Sequence, residues 1–421
     1  MKFVVLAFMT LLFSDAVQAA PACRHIFSFN PEVLEIVDAD PVKQWLSWEQ
    51  NSNAKQFVKA ETPIPVPVSR VEKDSVNIHY LDSTPAALKN IIEYNGGINW
   101  FKHPFNTYTG VPHYRAPEFT KLTTYFTASR SLALILGKHV FTLKTATDNP
   151  HGFNQVSQPG KATTREDIQD GIHRMEYIER IDKLIGTDPS VILAKEIAMV
   201  ADKATGEGYL FRDLSFLNDG HYYLPALSIP YVGKRIAELH KENPDVFWGQ
   251  HYAALLGKAK AILALRYGLQ METPNAQNML IQLDHNLRPT GKIVFRDLSD
   301  TAMVSSIAKG LGEEAALRHD AKFGVKNTDN IRPFWGLSVS LFDEAGGQSI
   351  SRSTLTEWGR LHNEAYLKEF KKALGLDMMR FKEIDRNVEV YQLLTSDPVQ
   401  KKLRSYRLKL EKEYALKNSA E

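Results

Sequence analysis

The stretch RYGLQMETPNAQNMLIQLD (residues 266–284), followed by KIVFRDLSD (residues 292–300), decides the reading of this chain. Before it, Phe247 to Tyr267 has the apolar spacing of an amphipathic helix, and Gly268 is its C-terminal stop. A loop then presents Glu272, Asn275, Gln277 and Asn278. Two strands follow, joined by a turn from His285 to Gly291, and the second ends in Arg296-Asp297 with Asp300 close behind. A hairpin of this form brings Asn278 and Asp297 together across its open end. An amide and a carboxylate placed so are hard oxygen donors of the kind that hold Mg²⁺ on phosphates. The same residue types also serve as plain turn and capping residues.

Working outward, Phe126 to Lys144 reads as strands broken at Gly137-Lys138. Arg130 and Ser131 lie in a Thr-Ala-Ser-Arg-Ser turn, and Lys144 lies on the strand after the next turn. A planar fork and a point charge on neighbouring strands suit a triphosphate. Each alone also fits an exposed strand residue. Thr164 to Leu184 has a Thr cap, early acids and later bases, the pattern of a helix. Gly208 to Ile229 holds strand-like runs around Asn218-Asp219-Gly220. The string FRDLS occurs at Phe211 and again at Phe295, without flanking similarity, and is not read as a repeat.

Nearer the N-terminus, Asp40-Pro41 starts a short helix with Trp45 and Trp48 on one face. The proline-rich ETPIPVPVSR (Glu61 to Arg70) reads as a linker or an edge strand. Thr84 to Tyr94 reads as a helix stopped by Asn95-Gly96-Gly97. At the far end, a heavily charged helix from about Pro398 to Lys417 reads as solvated or weakly packed.

The block from Arg266 to Asp300 resembles the C-terminal core of the siderophore synthetases that work without a peptide synthetase, the aerobactin-synthetase type. Those have a helix ending in Gly, a Glu-x-His-x-Gln-Asn loop, a strand, and a strand ending in Arg-Asp. Their N-terminal half carries a Thr-Ser-x-Arg-Thr turn, a Lys on the next strand and a further Thr-containing turn with an Arg. Thr127 to Ser131, Lys144 and Thr163-Thr164-Arg165 follow in that order here, and Tyr209 to Pro230 is similar to the stretch between the halves. The resemblance covers roughly Phe101 to Val304.

It implies an α+β fold: a cupped fingers, palm and thumb architecture with a mixed or antiparallel central sheet and C-terminal helices. It implies ATP with Mg²⁺, adenylation of a carboxylate such as citrate, and capture by an amine or alcohol. By resemblance, Arg130, Ser131, Lys144, Arg165 and Asn278 would bind the nucleotide. Asn278, Asp297 and Asp300 would hold the metal, and Glu272, Asn275 and Gln277 would be the catalytic loop. The implied division is a region 20–100, a fingers-like half 101–230, a palm-like core 231–310 and a helical region 311–421. The family's loop His is Asn275 here, its turn Ser is Ala128, and Glu272 is one position out of register. An amide cannot shuttle a proton as an imidazole can.

The first residues, with Lys2, the apolar run Phe3 to Phe13 and Val17-Gln18-Ala19, form the three parts of a secretory signal peptide cleaved after Ala19, with Ala22 a second candidate. The expected location is the periplasm or outside the cell. Cys23 is the one cysteine, which excludes an intramolecular disulfide and a cysteine-based metal cluster. Net charge is +2, so composition gives no case for nucleic acid. No second membrane-length apolar segment follows the leader. There is no His-Glu-x-x-His, Gly-x-Ser-x-Gly, Walker or Rossmann pattern. Three readings stay open: an exported carboxylate-activating ligase, with a homodimer among its expected forms; a secreted ATP-using effector on the same scaffold; and a non-catalytic relative.

Overall fold

The aspartate before Pro41 opens the first helix. Its Oδ1 accepts the backbone N–H groups of Val42 at 2.9 Å and Lys43 at 3.3 Å, an N-cap with proline at the first helical position. The computed structural model describes residues 38–52, 63–104, 118–128, 131–145, 165–271, 276–323, 327–328, 350–376 and 392–419. The leader region, Cys23, Arg130, Glu272 and Asn275 lie outside the described residues, as does the Arg165 side chain.

In chain order the elements are α1 (Pro41–Ser52), β1 (Ile64–Glu72), β2 (Val76–Tyr80), α2 (Ala86–Ile92), β3 (Glu93–Tyr94), β4 (Gly97–Phe101), β5 (Glu118–Ala128), β6 (Ser131–Leu136) and β7 (His139–Lys144). Next come α3 (Arg165–Ile185), β8 (Val191–Leu193), β9 (Glu196–Asp202), β10 (Gly208–Asp213), β11 (Tyr222–Pro225), α4 (Ile229–Leu239) and α5 (Pro244–Trp248). Then follow α6 (Leu255–Tyr267), β12 (Leu269–Met271), β13 (Met279–Leu283), β14 (Pro289–Phe295), β15 (Thr301–Val304), α7 (Ser305–Leu311), α8 (Glu314–Phe323), β16 (Asn327–Thr328), α9 (Arg352–Leu374) and α10 (Asp397–Asn418). The fold is α+β, as expected.

Nine strands form one antiparallel sheet in the order β2-β9-β10-β7-β6-β5-β1-β4-β3. The proline-rich β1 is therefore an interior strand, not a linker or an edge. It pairs with β5 through Ile64 to Val68 and with β4 through Val68 to Glu72, and its register slips between Pro65 and Pro67. Prolines lack the ladder N–H, and a bulge is where an interior strand tolerates them. Asn95-Gly96 is also reassigned. With φ of 49° and 77° these two residues close a hairpin between β3 and β4, so the helix ends earlier, at Ile92.

A second sheet, β11-β13-β14-β8, carries the hairpin read from sequence, and β8 adds to it in parallel. The two runs flanking Asn218-Asp219-Gly220 part company: β10 belongs to the nine-stranded sheet and β11 to the four-stranded one. Trp45 and Trp48 are both buried, and α1 packs on β11.

The helix read as amphipathic over 247–267 is three pieces: α5, a π-helical turn Gly249–Ala254, and α6. From Leu256 to Tyr267 almost every α6 residue is buried, because α9 runs along it and β12 and β14 lie against it. A Cβ on Gly257 would stand 2.0 Å from the His362 carbonyl, so only glycine admits α9 at this crossing. Burial depresses the Lys260 ammonium to about 7. The charged terminal helix is firmly attached through its first half. Val399, Leu403 and Arg407 of α10 are buried, and Arg407 Nη2 donates to the Arg266 carbonyl at 2.8 Å.

Candidate nucleotide site at two strand ends

Lys144 is the last residue of β7, opposite Ser131 on β6 and Leu210 on β10. Directly opposed residues of an antiparallel pair share a face, so Lys144 and Ser131 face the same way. Arg212, two residues beyond Leu210, lies opposite Glu196 at the start of β9. Across from this row, the chain leaving β14 turns at Asp297, whose φ of 64° and ψ of 47° are left-handed. A non-glycine residue there costs about 1 kcal/mol, and the charges it meets offset that.

Lys144 Nζ donates to Asp297 Oδ1 at 2.9 Å, and Arg212 Nη2 donates to the same oxygen at 2.8 Å. Arg212 also donates to Glu196 Oε1 through Nε at 3.0 Å and Nη2 at 2.8 Å. Exposure grades outward. Glu196 and Arg212 side chains are 0% and 7% exposed, Lys144 and Asp297 18% and 24%. Burial pushes the Glu196 carboxyl up, opposed by Arg212. Burial pulls the Arg212 guanidinium down, but the Glu196 and Asp297 carboxylates outweigh it and hold it above its usual value.

A second arginine ties the hairpin's open end. The Arg296 backbone N–H donates to the Asn278 carbonyl at 3.0 Å, and Arg296 Nε donates to the Gln277 carbonyl at 2.7 Å. Its Nη2 pairs with Glu49 of α1, which is fully buried. Burial raises the Glu49 carboxyl against the pull of Arg296. The Asn278 carbonyl thus meets the residue before Asp297 at the hairpin's open end. Asp300 closes the turn with its N–H on the Asp297 carbonyl at 3.1 Å. The N-terminal half of α3, which begins at Arg165, packs on this turn at Gly171 and Ser299.

The structure therefore brings Lys144, Ser131, Asn278, Gln277, Asp297 and Asp300 to one region. Sequence reasoning missed Arg212, Glu196 and Glu49. The first carried a signal, the other FRDLS string, and the two glutamates carried none. Among the described residues no group of three or more His, Cys, Asp or Glu is arranged to hold a metal. Two cations against one partly exposed carboxylate are the donor set that a metal–polyphosphate pair needs. A cavity of about 280 Å³ opens elsewhere, between β2, β9 and α3, lined by His79, His173 and Asp202 among others. It includes none of the residues singled out from sequence, and His79 is three strands from Lys144 in the sheet order. No described helix is long and apolar enough to cross a membrane.

Solved structures share this fold. Aerobactin synthetase IucA from a hypervirulent pathotype of Klebsiella pneumoniae matches with a TM-score of 0.55 at 12% identity, over 84% of this chain and 74% of that one. ATP-bound IucA matches with 0.55 at 12% identity, over 82% and 73%. Aerobactin synthetase IucC from the same source gives 0.55 at 11% identity, over 90% and 79%. The petrobactin biosynthesis protein AsbB from Bacillus anthracis str. Sterne gives 0.52 at 13% identity, over 87% and 72%. At such identities the likeness establishes the fold. No protein-family model and no curated protein sequence matches the chain.

Proposed function

We propose that the chain is an ATP- and Mg²⁺-dependent ligase of the siderophore-synthetase kind, which adenylates a carboxylate and passes the acyl group to an amine or an alcohol. One observation carries the reading. A lysine from the end of β7 and an aspartate from the end of β14, 153 residues apart, meet at 2.9 Å. They do so in a fold that ATP-bound IucA also takes.

In this reading Lys144 and Arg212, with Arg130, Ser131 and Arg165, hold the phosphates. Asp297, with Asn278 and Asp300 beside it, supplies oxygens to Mg²⁺. Bound Mg²⁺ neutralises phosphate charge and aligns the leaving pyrophosphate. A substrate carboxylate oxygen bonds the α-phosphorus as the bond to pyrophosphate breaks. The amine or alcohol then bonds the acyl carbon as its bond to AMP breaks, AMP departs, and the nucleophile's proton passes to solvent. The chain's part is alignment and charge neutralisation. Glu272, Asn275 and Gln277 orient the substrate, and Asn275 is given no proton-transfer role because an amide does not titrate.

Pyrophosphate release with a panel of polycarboxylates, citrate included, tests the chemistry. Release should require both Mg²⁺ and a carboxylate, and Lys144→Met should remove it. Nucleotide binding with no carboxylate-dependent release on any panel member would overturn the ligase reading. We propose further that residues 1–19 act as a cleaved leader, with the protein in the periplasm or outside the cell. N-terminal sequencing of exported protein should begin at Ala20, and retention of Met1 in the cytoplasm would contradict it.

A further inference from the structure

Lys144 and Arg212 do not merely lie near Asp297. Both donate to the same carboxylate oxygen, Oδ1, at 2.9 and 2.8 Å. With Glu196 closing the far side of Arg212, the four formal charges cancel. Among the described residues, these four groups offer a bare polyphosphate no net positive charge. It must also displace a carboxylate that has already gathered both cations. The cations aimed at the ligand are satisfied by an anion of the protein's own.

We propose that Asp297 is a built-in competitor of the anionic ligand, so that the site takes a polyphosphate only together with a divalent cation. The divalent cation draws Asp297 off, and the polyphosphate inherits Lys144 and Arg212. This rests on the reading of the site as a nucleotide site, and it adds a mutual dependence between metal and anion.

The surroundings favour exchange at Asp297 rather than at Arg212. Arg212 is anchored by two donors on a glutamate that is fully buried. That anchor holds it in place when the carboxylate departs. Asp297 sits on a short turn outside the sheets and is the most exposed of the four. Lys144 is the next most exposed, on a long flexible stem at a strand terminus. The inner pair is a fixed base, and the outer pair is the part that can open. Binding either partner first breaks the same two contacts, which makes the two binding events mutually reinforcing.

Asp297→Asn keeps the shape of the side chain and removes its charge. Calorimetry of inorganic triphosphate in excess chelator, set beside ATP in excess Mg²⁺, reads both sides of the exchange. Asp297→Asn should bind metal-free triphosphate at least about fivefold more tightly than the natural protein, within the usual range of coupling between sites. It should bind MgATP more weakly than the natural protein. Lys144→Met should weaken both. If the natural protein binds MgATP but Asp297→Asn gains nothing for metal-free triphosphate, the competitor role is wrong and the nucleotide reading stands. If the natural protein binds no MgATP at all, the nucleotide reading fails and this inference with it. A ligand-free melt confirms that the variant folds, and Asp297→Ser repeats the comparison if Asp297→Asn does not.

Discussion

The pentapeptide FRDLS ends two strands of this molecule, β10 at Phe211 to Ser215 and β14 at Phe295 to Ser299. Its two copies share their pattern of burial, and their aspartates separate them. Phe211 and Phe295 are buried, as are Leu214 and Leu298, and each copy leads into a short 3₁₀ turn. Each arginine is buried against a fully buried glutamate, Arg212 on Glu196 and Arg296 on Glu49. The aspartates differ. Asp213 uses its carboxylate on its own turn, accepting the Ser215 N–H at 2.9 Å and the Ser215 hydroxyl at 2.5 Å. Asp297 is left-handed, and its carboxylate leaves the turn for Lys144 and Arg212. The same five residues set the same burial, and the backbone angle at one of them separates a turn-former from a candidate ligand.

The largest expected effects fall on what the copies share. Arg212→Met and Arg296→Met each strip a buried glutamate of its arginine, which costs about 3–5 kcal/mol. Urea unfolding should show both losses at similar size. A melt like that of the natural protein in either variant would show that its pair adds nothing to stability. A common background comes next. The folded Lys260 value of about 7 lies below its ordinary 10.5. Between those values the unfolded chain holds a proton that the folded one does not. Stability should therefore rise with pH across that window, by at most about 1.4 kcal/mol per pH unit, with the full penalty present below about 7. Lys260→Met should flatten the slope, and a flat profile in the natural protein would contradict the burial argument. The smallest effect belongs to Asp213→Ala, which removes one turn-capping side chain at a cost of about 1 kcal/mol by analogy with helix caps. Denaturant midpoints check this, and a loss as large as that of Arg212→Met would mean that the two aspartates are not distinct in role.

Much of this was legible locally. The hairpin from Met279 to Phe295, the stop at Gly268 and the strands around Gly137 follow from period and turn chemistry. What was hidden depends on partners far along the chain. Nothing near Pro65 or Pro67 tells that β4 and β5 will flank them. Nothing in the α6 sequence tells that α9 will cover the face that periodicity would leave to water. The site divides in the same way. Asp297 was legible as a carboxylate at a strand end, and Lys144 as a lysine on the strand after the Gly137 turn. Arg212 was visible only as one of two copies of a string, and Glu196 and Glu49 are acids with no local distinction until the fold sets an arginine against each. The left-handed turn at Asp297 has no glycine to announce it.

Thermal unfolding of the protein lacking residues 1–19, titrated with MgATP, tests the central claim most directly. The natural protein and Asp213→Ala should be stabilised alike, by about 2.7 kcal/mol at a hundredfold excess over the dissociation constant, while Asp297→Ala and Lys144→Met should show no shift. No stabilisation of the natural protein at millimolar MgATP, or an equal loss in Asp213→Ala, would contradict the account.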